Sequence, residues 1–356
     1  MNSDNQKRTI FLTGATGLVG SYLLKLLLQH GHKVYCLARS KDNKSAKQRV
    51  VDILNFWDKK VYPKYRRKLI VLEGDIAKKD LGLSKKNGDK LANNVEEIFH
   101  SAAITDIGWP LNKIRKVNVG GTKKVLDFAL GCKNLVKVNH ISTAYVCGDY
   151  KGTFRETDLD VGQNFNTTYE QSKFEAEKLV RTYRKKLSID IYRPSVVIGE
   201  SKTGKINEFR NIYQFLHLCS LEIFDSFPIL NGRVSIVFID DCARALYTIS
   251  QESDGSNKTY NIFPNADVPL ERILSIFCRL RKIRKPRLVT IPKFGLNRIS
   301  PTQRIIVKRN ILALNTEVKL DTEKTFLVLS KSHFRYTLPN KRNLKKILTY
   351  FKHGVS

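Results

Sequence analysis

Residues 9–20, TIFLTGATGLVG, constrain this chain more than any other stretch. Ile10, Phe11 and Leu12 form a short apolar run of the kind that becomes a buried parallel strand. Thr13-Gly14-Ala15-Thr16-Gly17-Leu18-Val19-Gly20 follows, and Tyr22-Leu23-Leu24 with Leu26-Leu27-Leu28 then predicts a helix that Gly31 closes after His30. Strand, glycine turn and helix in this order make a dinucleotide cradle. Gly14 permits the tight turn, Gly17 lets the backbone approach a pyrophosphate, and Gly20 lets helix and strand pack closely. The helix N-terminus then presents unpaired N–H groups and partial positive charge to the phosphates.

The chain in order predicts a doubly wound α/β sheet of the Rossmann kind around that cradle. Residues 32–38 read as the second strand, ending at Ala38-Arg39, where an NAD-binding relative of this fold would carry an acid for the ribose hydroxyl. Arg39 instead suits a 2′-phosphate, so NADPH is expected and NADH ranks second. Residues 41–68 are basic and partly helical, and Arg49 there is a second candidate phosphate contact. A third strand at 69–73 ends in Gly74-Asp75-Ile76, where Asp75 can accept from an adenine amino group. A fourth at 95–100 opens into Ser101-Ala102-Ala103, small residues that let backbone lie close to a cofactor. A long helix from Trp109-Pro110 carries Asn118, placed to tie neighbouring strand ends. Strands at 135–142 and 189–193, the second stopped by Pro194, flank a helix at 167–186. A run at 235–239 is expected to return to the sheet. The expected division is 1–198 plus about 236–260 for the cofactor domain, with about 199–235 plus 261–356 as a smaller, interleaved substrate region.

Composition narrows the setting. The sequence has 356 residues, enough for one large or two intimate domains. No apolar run reaches ~18 residues, so no transmembrane helix is expected. The N-terminus shows no signal-peptide pattern, and six cysteines (Cys36, Cys132, Cys147, Cys219, Cys242, Cys278) fall without metal-ligand spacing. A cytoplasmic protein with reduced thiols and no metal is the expectation. The formal charge is +30, of which +17 lies from Glu271 onward, with 21 Lys and Arg against 4 Asp and Glu. Such a surface attracts acidic partners: an acyl carrier protein, an anionic membrane or, last in order, nucleic acid.

The chemistry sits at Thr143, Tyr169 and Lys173. Tyrosine and lysine four apart share one helix face, so the ammonium can lower the phenol pKa toward working pH. A hydroxyl at the adjacent strand end, Thr143 ahead of Ser142, can bond a carbonyl oxygen where charge develops. With the glycine turn and Arg39, this pattern describes hydride transfer to or from a carbonyl carbon.

These residues carry a resemblance. Through TGATGLVG, CLAR, Ala46-Lys47-Gln48-Arg49, GDI, LGLS, HSAA, NVGGT, STAYV, YEQSK and YRPSVVIG, about residues 8–250 resemble an extended short-chain dehydrogenase/reductase. Within that group the chain is similar to thioester reductase domains and fatty acyl-CoA reductases of the male-sterility type. The resemblance implies a Thr143-Tyr169-Lys173 catalytic set. It also implies cofactor contacts from Gly14 to Gly20, Arg39 and Arg49 at the 2′-phosphate, Asp75 and Ile76 at adenine, and Pro194, Ser195, Val196 and Val197 at nicotinamide. The implied reaction reduces an acyl thioester, on CoA or a carrier, to aldehyde or alcohol, and the group implies a homodimer through the helices near Trp109 and Thr167. The last 90 residues match no pattern of the group, and no adenylation or carrier segment accompanies the reductase part. A dehydrogenase or epimerase acting on a sugar nucleotide, ketone, aldehyde or small lipid is the second reading. A non-catalytic NADP-binding regulator is the third.

Overall fold

A computed structural model describes residues 7–229, 232–252, 257–290 and 318–354. From the N-terminus run β1 (Thr9–Thr13), α1 (Leu18–Gln29), β2 (Lys33–Ala38), α2 (Ala46–Trp57), α3 (Val61–Tyr65), β3 (Leu69–Glu73), α4 (Lys85–Asn94), β4 (Glu97–His100), α5 (Leu111–Asn118), α6 (Gly120–Leu130) and β5 (Lys137–Ile141). Then come β6 (Gly152–Phe154), α7 (Thr168–Tyr183), β7 (Ile189–Pro194), β8 (Val196–Ile198), α8 (Ile212–Ser220), β9 (Ser226–Ile229), β10 (Arg233–Phe238), α9 (Ile239–Glu252), β11 (Thr259–Ile262), β12 (Asp267–Pro269) and α10 (Leu270–Arg281). Further strands lie at Arg287–Thr290 and Val318–Leu320, and further helices at Glu323–Lys331 and Lys341–Gly354.

Seven strands join in one all-parallel sheet, ordered β11-β7-β5-β4-β1-β2-β3. Helices cover both faces, which is why β1 is apolar on both sides, Ile10, Phe11 and Leu12 having no exposed surface, whereas β4 and β5 bury Glu97, His100, Lys137, Asn139 and His140. On one face α1 and α9 pack through Leu23, Leu27, Leu246 and Ile249; on the other, α6 and α7 contribute Val125, Leu126 and Val180. Strand order reverses between β1 and β4. Such a switch point opens a crevice beyond the carboxyl ends of the strands.

Two expectations change. The helix begun at Trp109-Pro110 is broken at Val119 (φ −97°, ψ −56°) into α5 and α6, because Gly120-Gly121 is a poor helix interior although the apolar spacing runs on through it. The run at 235–239 does not return to the main sheet. Its strand, β10, pairs in parallel with β8 and antiparallel with β12, because the chain leaves the main sheet after Pro194 and β8 offers it an edge. The helix after it, α9, does return to the main core. The second sheet, with α8, α10 and the helix Lys341–Gly354, encloses its own apolar cluster of Phe215, Phe227, Phe238, Phe277 and Phe351.

Candidate active site

The cradle is built as its glycines dictate. Gly14 holds φ +77°, and a Cβ there would stand 2.6 Å from the Ala102 backbone nitrogen; at Gly20 a Cβ would meet the Gly14 carbonyl at 2.2 Å. Helix α1 begins after Gly17 with no side-chain cap, so its first N–H groups are left for a ligand.

From this turn a cleft of about 490 Å³ runs across the sheet's carboxyl edge. Gly14, Thr16, Gly17, Leu18, Val19, Arg39, Arg49, Asp75, Ile76, Ser101, Ala102, Ala103, Ser142, Thr143, Tyr169, Lys173, Pro194, Ser195, Val196 and Val197 all line it. Ala15, Gly20 and Asn118 stand behind its wall, buried. Asn118 accepts from the Ile104 N–H (2.8 Å) and donates to the Ile104 carbonyl (3.0 Å) and the Ser172 hydroxyl (2.9 Å), fastening the loop after β4 to α7.

At one end two guanidinium groups converge. Arg49 donates to the Arg39 carbonyl (2.6 Å) and to the Thr16 hydroxyl (3.5 Å), while Arg39 lies 3.5 Å from the Asp75 carboxylate. At the other end the Tyr169 phenol hydrogen-bonds the Thr143 hydroxyl, which also accepts the Tyr145 N–H at 3.3 Å. Lys173 is buried and donates to the Ile141 carbonyl at 2.8 Å. Ser142, the alternative hydroxyl, is turned away and donates to Glu177 (2.8 Å).

The electrostatics differ from the simple tyrosine–lysine argument. Burial pushes the Tyr169 phenol up to about 12, against the lowering effect of the Thr143 hydrogen bond, and the Glu170 charge adds to the rise. The expected lowering does not arise: the Lys173 ammonium is held on Ile141, and desolvation of the phenolate outweighs the Thr143 hydrogen bond. Burial lowers Lys173 itself to about 8, partly offset by Glu177. Behind them Glu177, fully buried, pairs with Arg193 (2.6 Å) and Arg181 (3.0 Å). Burial alone would raise that carboxyl, but the two guanidinium groups hold it below the usual range.

Sequence reasoning left out Glu170, Glu208, Arg210 and Asn211, which also line the cleft. Glu170 was signalled by Thr167-x-x-Glu170, a capping box in which its carboxylate accepts the Thr167 N–H at 3.3 Å, with the Asn166 N–H beside it at 2.8 Å; burial lifts its pKa to about 7. Asn211 adopts φ +53°, and nothing in the residue order announces it. Asp106, Trp109, Arg210 and Asn211 lie on the border with an adjoining chamber of about 540 Å³, in which Phe209, Tyr213, Leu218 and Phe351 share the wall with the polar Gln214 and His217.

The cleft fits a dinucleotide on two further observations. The Ser195 hydroxyl, buried in the wall beside Pro194, has no hydrogen-bond partner among the described residues, and the glycine turn leaves a hollow that a Cβ would fill. The sequence model of the family described as male sterility protein matches residues 12–246. The chain belongs to this family. It carries the family's NAD(P)-binding domain, and the resemblance read from the motifs holds.

Among its relatives, the fatty acyl-CoA reductase wat of Drosophila melanogaster is 28% identical over 299 residues, 72% of this chain and 57% of that protein. The carboxylic acid reductase of Segniliparus rugosus is 31% identical over 223 residues, 57% of this chain but 19% of that protein. The chain thus spans less than two thirds of the length of these relatives. The terminal R domain from the myxalamid PKS-NRPS pathway superposes with a TM-score of 0.81 at 25% identity, covering 98% of this chain and 91% of that one. UDP-glucuronic acid 4-epimerase from Bacillus cereus shares the fold at a TM-score of 0.69 and 19% identity, over 97% of this chain and 99% of that one.

Among the described residues no group of three or more His, Cys, Asp or Glu is placed to hold a metal ion. No helix among them is long and apolar enough to cross a membrane.

Proposed function

We propose that this family member is an NADPH-dependent reductase of acyl thioesters. One observation carries the reading: the cleft that gathers the glycine turn, Thr143, Tyr169 and Lys173 adjoins a chamber with an aromatic and aliphatic wall, Phe209, Tyr213, Leu218 and Phe351, that an acyl chain can contact. The relatives named as reductases of fatty acyl-CoA and of carboxylic acids, and the R domain of a PKS-NRPS pathway, support it.

In this reading Arg39 and Arg49 hold the 2′-phosphate, Asp75 and Ile76 the adenine, Ser195 the carboxamide, and Lys173 the nicotinamide ribose. When bound, the reduced cofactor supplies a hydride to the thioester carbonyl carbon. Tyr169 gives its phenolic proton to the carbonyl oxygen, and Thr143 donates a second hydrogen bond where the negative charge develops. The product of that step is a hemithioacetal. Tyr169 then takes back the hydroxyl proton as the C–S bond breaks, leaving aldehyde and a thiolate that solvent protonates. The exposed Lys341, Arg342 and Lys345, on the helix that brings Phe351 to the chamber wall, suit an acidic carrier protein delivering the acyl group.

The epimerase reading has the same fold, and Arg210, Gln214 and His217 of the chamber could also face a sugar diphosphate; the relatives named as reductases favour the acyl group. The deciding experiment follows loss of reduced-nicotinamide absorbance with acyl-CoA thioesters, free aldehydes and ketones, while titrating released thiol. Thiol release matching NADPH consumption is expected. Consumption with carbonyls and never with thioesters would overturn the reading.

A further inference from the structure

Because all seven strands of the main sheet are parallel, the segments that enter them lie together at the end opposite the cofactor cleft. The sequence loads that end with bases. Lys7 precedes β1, Lys33 begins β2, Arg66, Arg67 and Lys68 precede β3, Lys133 precedes β5, and Lys185 and Lys186 precede β7. Lys59, Lys60 and Lys64, around α3, join them, and all except Lys68 are exposed.

The charges are left uncompensated. Lys7, Lys59, Lys60, Arg66, Arg67, Lys133, Lys185 and Lys186 make no ion pair among the described residues. On the flanks Lys44, Lys85, Lys123, Arg115 and Lys178 have carboxylate partners while Lys47, Lys86, Lys90, Lys113 and Lys116 have none among the described residues, so what marks the entry end is the gathering of its bases on one face. The acids at this end are fewer than the bases: Asp58 and Glu96, which accept the Lys60 and Thr9 N–H groups and keep their charge, with Glu97 buried against Arg8 and buried Asp190 accepting the Lys258 N–H. The Lys7 and Lys68 side chains even close over the same residue, Gly31. Like charges gathered this way cost self-repulsion, which an external polyanion relieves.

We propose that the strand-entry end of the sheet is a docking face for an anionic lipid surface. Seven strands at about 4.8 Å spacing make it roughly 30 Å wide. Its bases are spread across that width from β3 to β7, which matches a planar array of headgroups. Nucleic acid is the weaker match, because Tyr62 and Tyr65, the aromatic side chains of α3, are half-buried and leave no stacking platform on this face. Docked so, the protein keeps its cofactor cleft and acyl chamber directed away from the lipid.

The test is co-sedimentation of the full chain with vesicles of phosphatidylcholine alone and of phosphatidylcholine with phosphatidylserine, at low and high salt. Binding to the anionic vesicles only, weakened by salt, is expected. Near such a surface each Lys or Arg accounts for about fivefold in affinity, so Lys64→Gln/Arg66→Gln/Arg67→Gln should lose roughly a hundredfold. The matched variant Lys341→Gln/Arg342→Gln/Lys345→Gln removes the same charge from another exposed site and should stay within a fewfold. Fluorescence titration with NADPH, unchanged in both, shows that each variant is folded. Absence of a preference for anionic vesicles, or equal losses in the two variants, overturns the proposal. So does a single-stranded RNA competitor that binds more tightly through the same three residues, which would reassign the face to nucleic acid.

Discussion

Replacing Arg49 by alanine separates the two nicotinamide cofactors. Arg49 is half-buried and already fixed by the Arg39 carbonyl and the Thr16 hydroxyl, so it loses little further freedom when it meets a phosphate. Arg39 is 60% exposed and shares its charge with Asp75. A hydrogen bond to a charged group contributes about 1.5–3 kcal/mol. For the fixed, half-buried Arg49 about 2 kcal/mol is appropriate, or roughly thirtyfold in kcat/KM with NADPH. For Arg39 solvent screening and Asp75 reduce this to about 1 kcal/mol, roughly fivefold. NADH has no 2′-phosphate, so its kcat/KM should move by no more than about twofold in either variant, and Arg49→Lys should recover part of the loss. Initial rates with both cofactors at fixed ionic strength measure this. A parallel fall with NADPH and NADH would show that Arg49 holds the loop rather than the phosphate, and would refute the assignment.

Three further outcomes follow from the same geometry. Tyr169→Phe should lower kcat about a hundredfold or more while the NADPH dissociation constant holds, and unchanged turnover would remove Tyr169 from the chemistry. The rate should fall on an alkaline limb near pH 8, where Lys173 loses its charge, and Lys173→Arg should move that limb upward. From about pH 8 to 10.5 the unfolded chain keeps a Lys173 proton that the folded chain has released, so this group makes stability rise with pH; a melting curve that stays level or improves there separates the limb from unfolding. Glu177→Gln leaves Arg193 buried beside Arg181 without a counter-charge, which costs about 3–5 kcal/mol and should appear as a lower melting temperature.

The strands at 10–12 and 69–72 were legible because burial on both faces demands continuous apolar runs, and the strand at 189–193 because Ile189, Ile191 and Tyr192 run up to a Pro194 stop although Asp190 interrupts them. The break between α5 and α6 was hidden because Val117, Val119 and Val125 continue the apolar spacing while Gly120-Gly121 interrupts the backbone. The place of β10 was not legible: its apolar run suits either sheet, and the choice was made by the neighbouring exit of β8. The motif residues picked from the sequence share one cleft because each lies at a carboxyl end of a strand or on the helix beside it. Phe351 and Arg210 were not picked, since their contribution depends on a distant helix and on a backbone turn at Asn211.

The environment of Tyr169 bears on its protonation state. Spacing suggested a phenol lowered by its lysine, which would serve oxidation of an alcohol as well as reduction of a carbonyl. The fold instead buries the phenol, gives it Thr143 as partner and commits Lys173 to the Ile141 carbonyl. A phenol held near 12 keeps its proton throughout the physiological range, and a reduction needs that proton at the carbonyl oxygen. An oxidation would need the phenolate, which burial disfavours. Lys173, held near 8, remains mostly charged at neutral pH and can bind a ribose hydroxyl without first abstracting the tyrosine proton. The same two residues that signal the family in the sequence thus stand in surroundings that favour the protonated phenol, so the proton that the proposed reduction requires is in place before the carbonyl arrives.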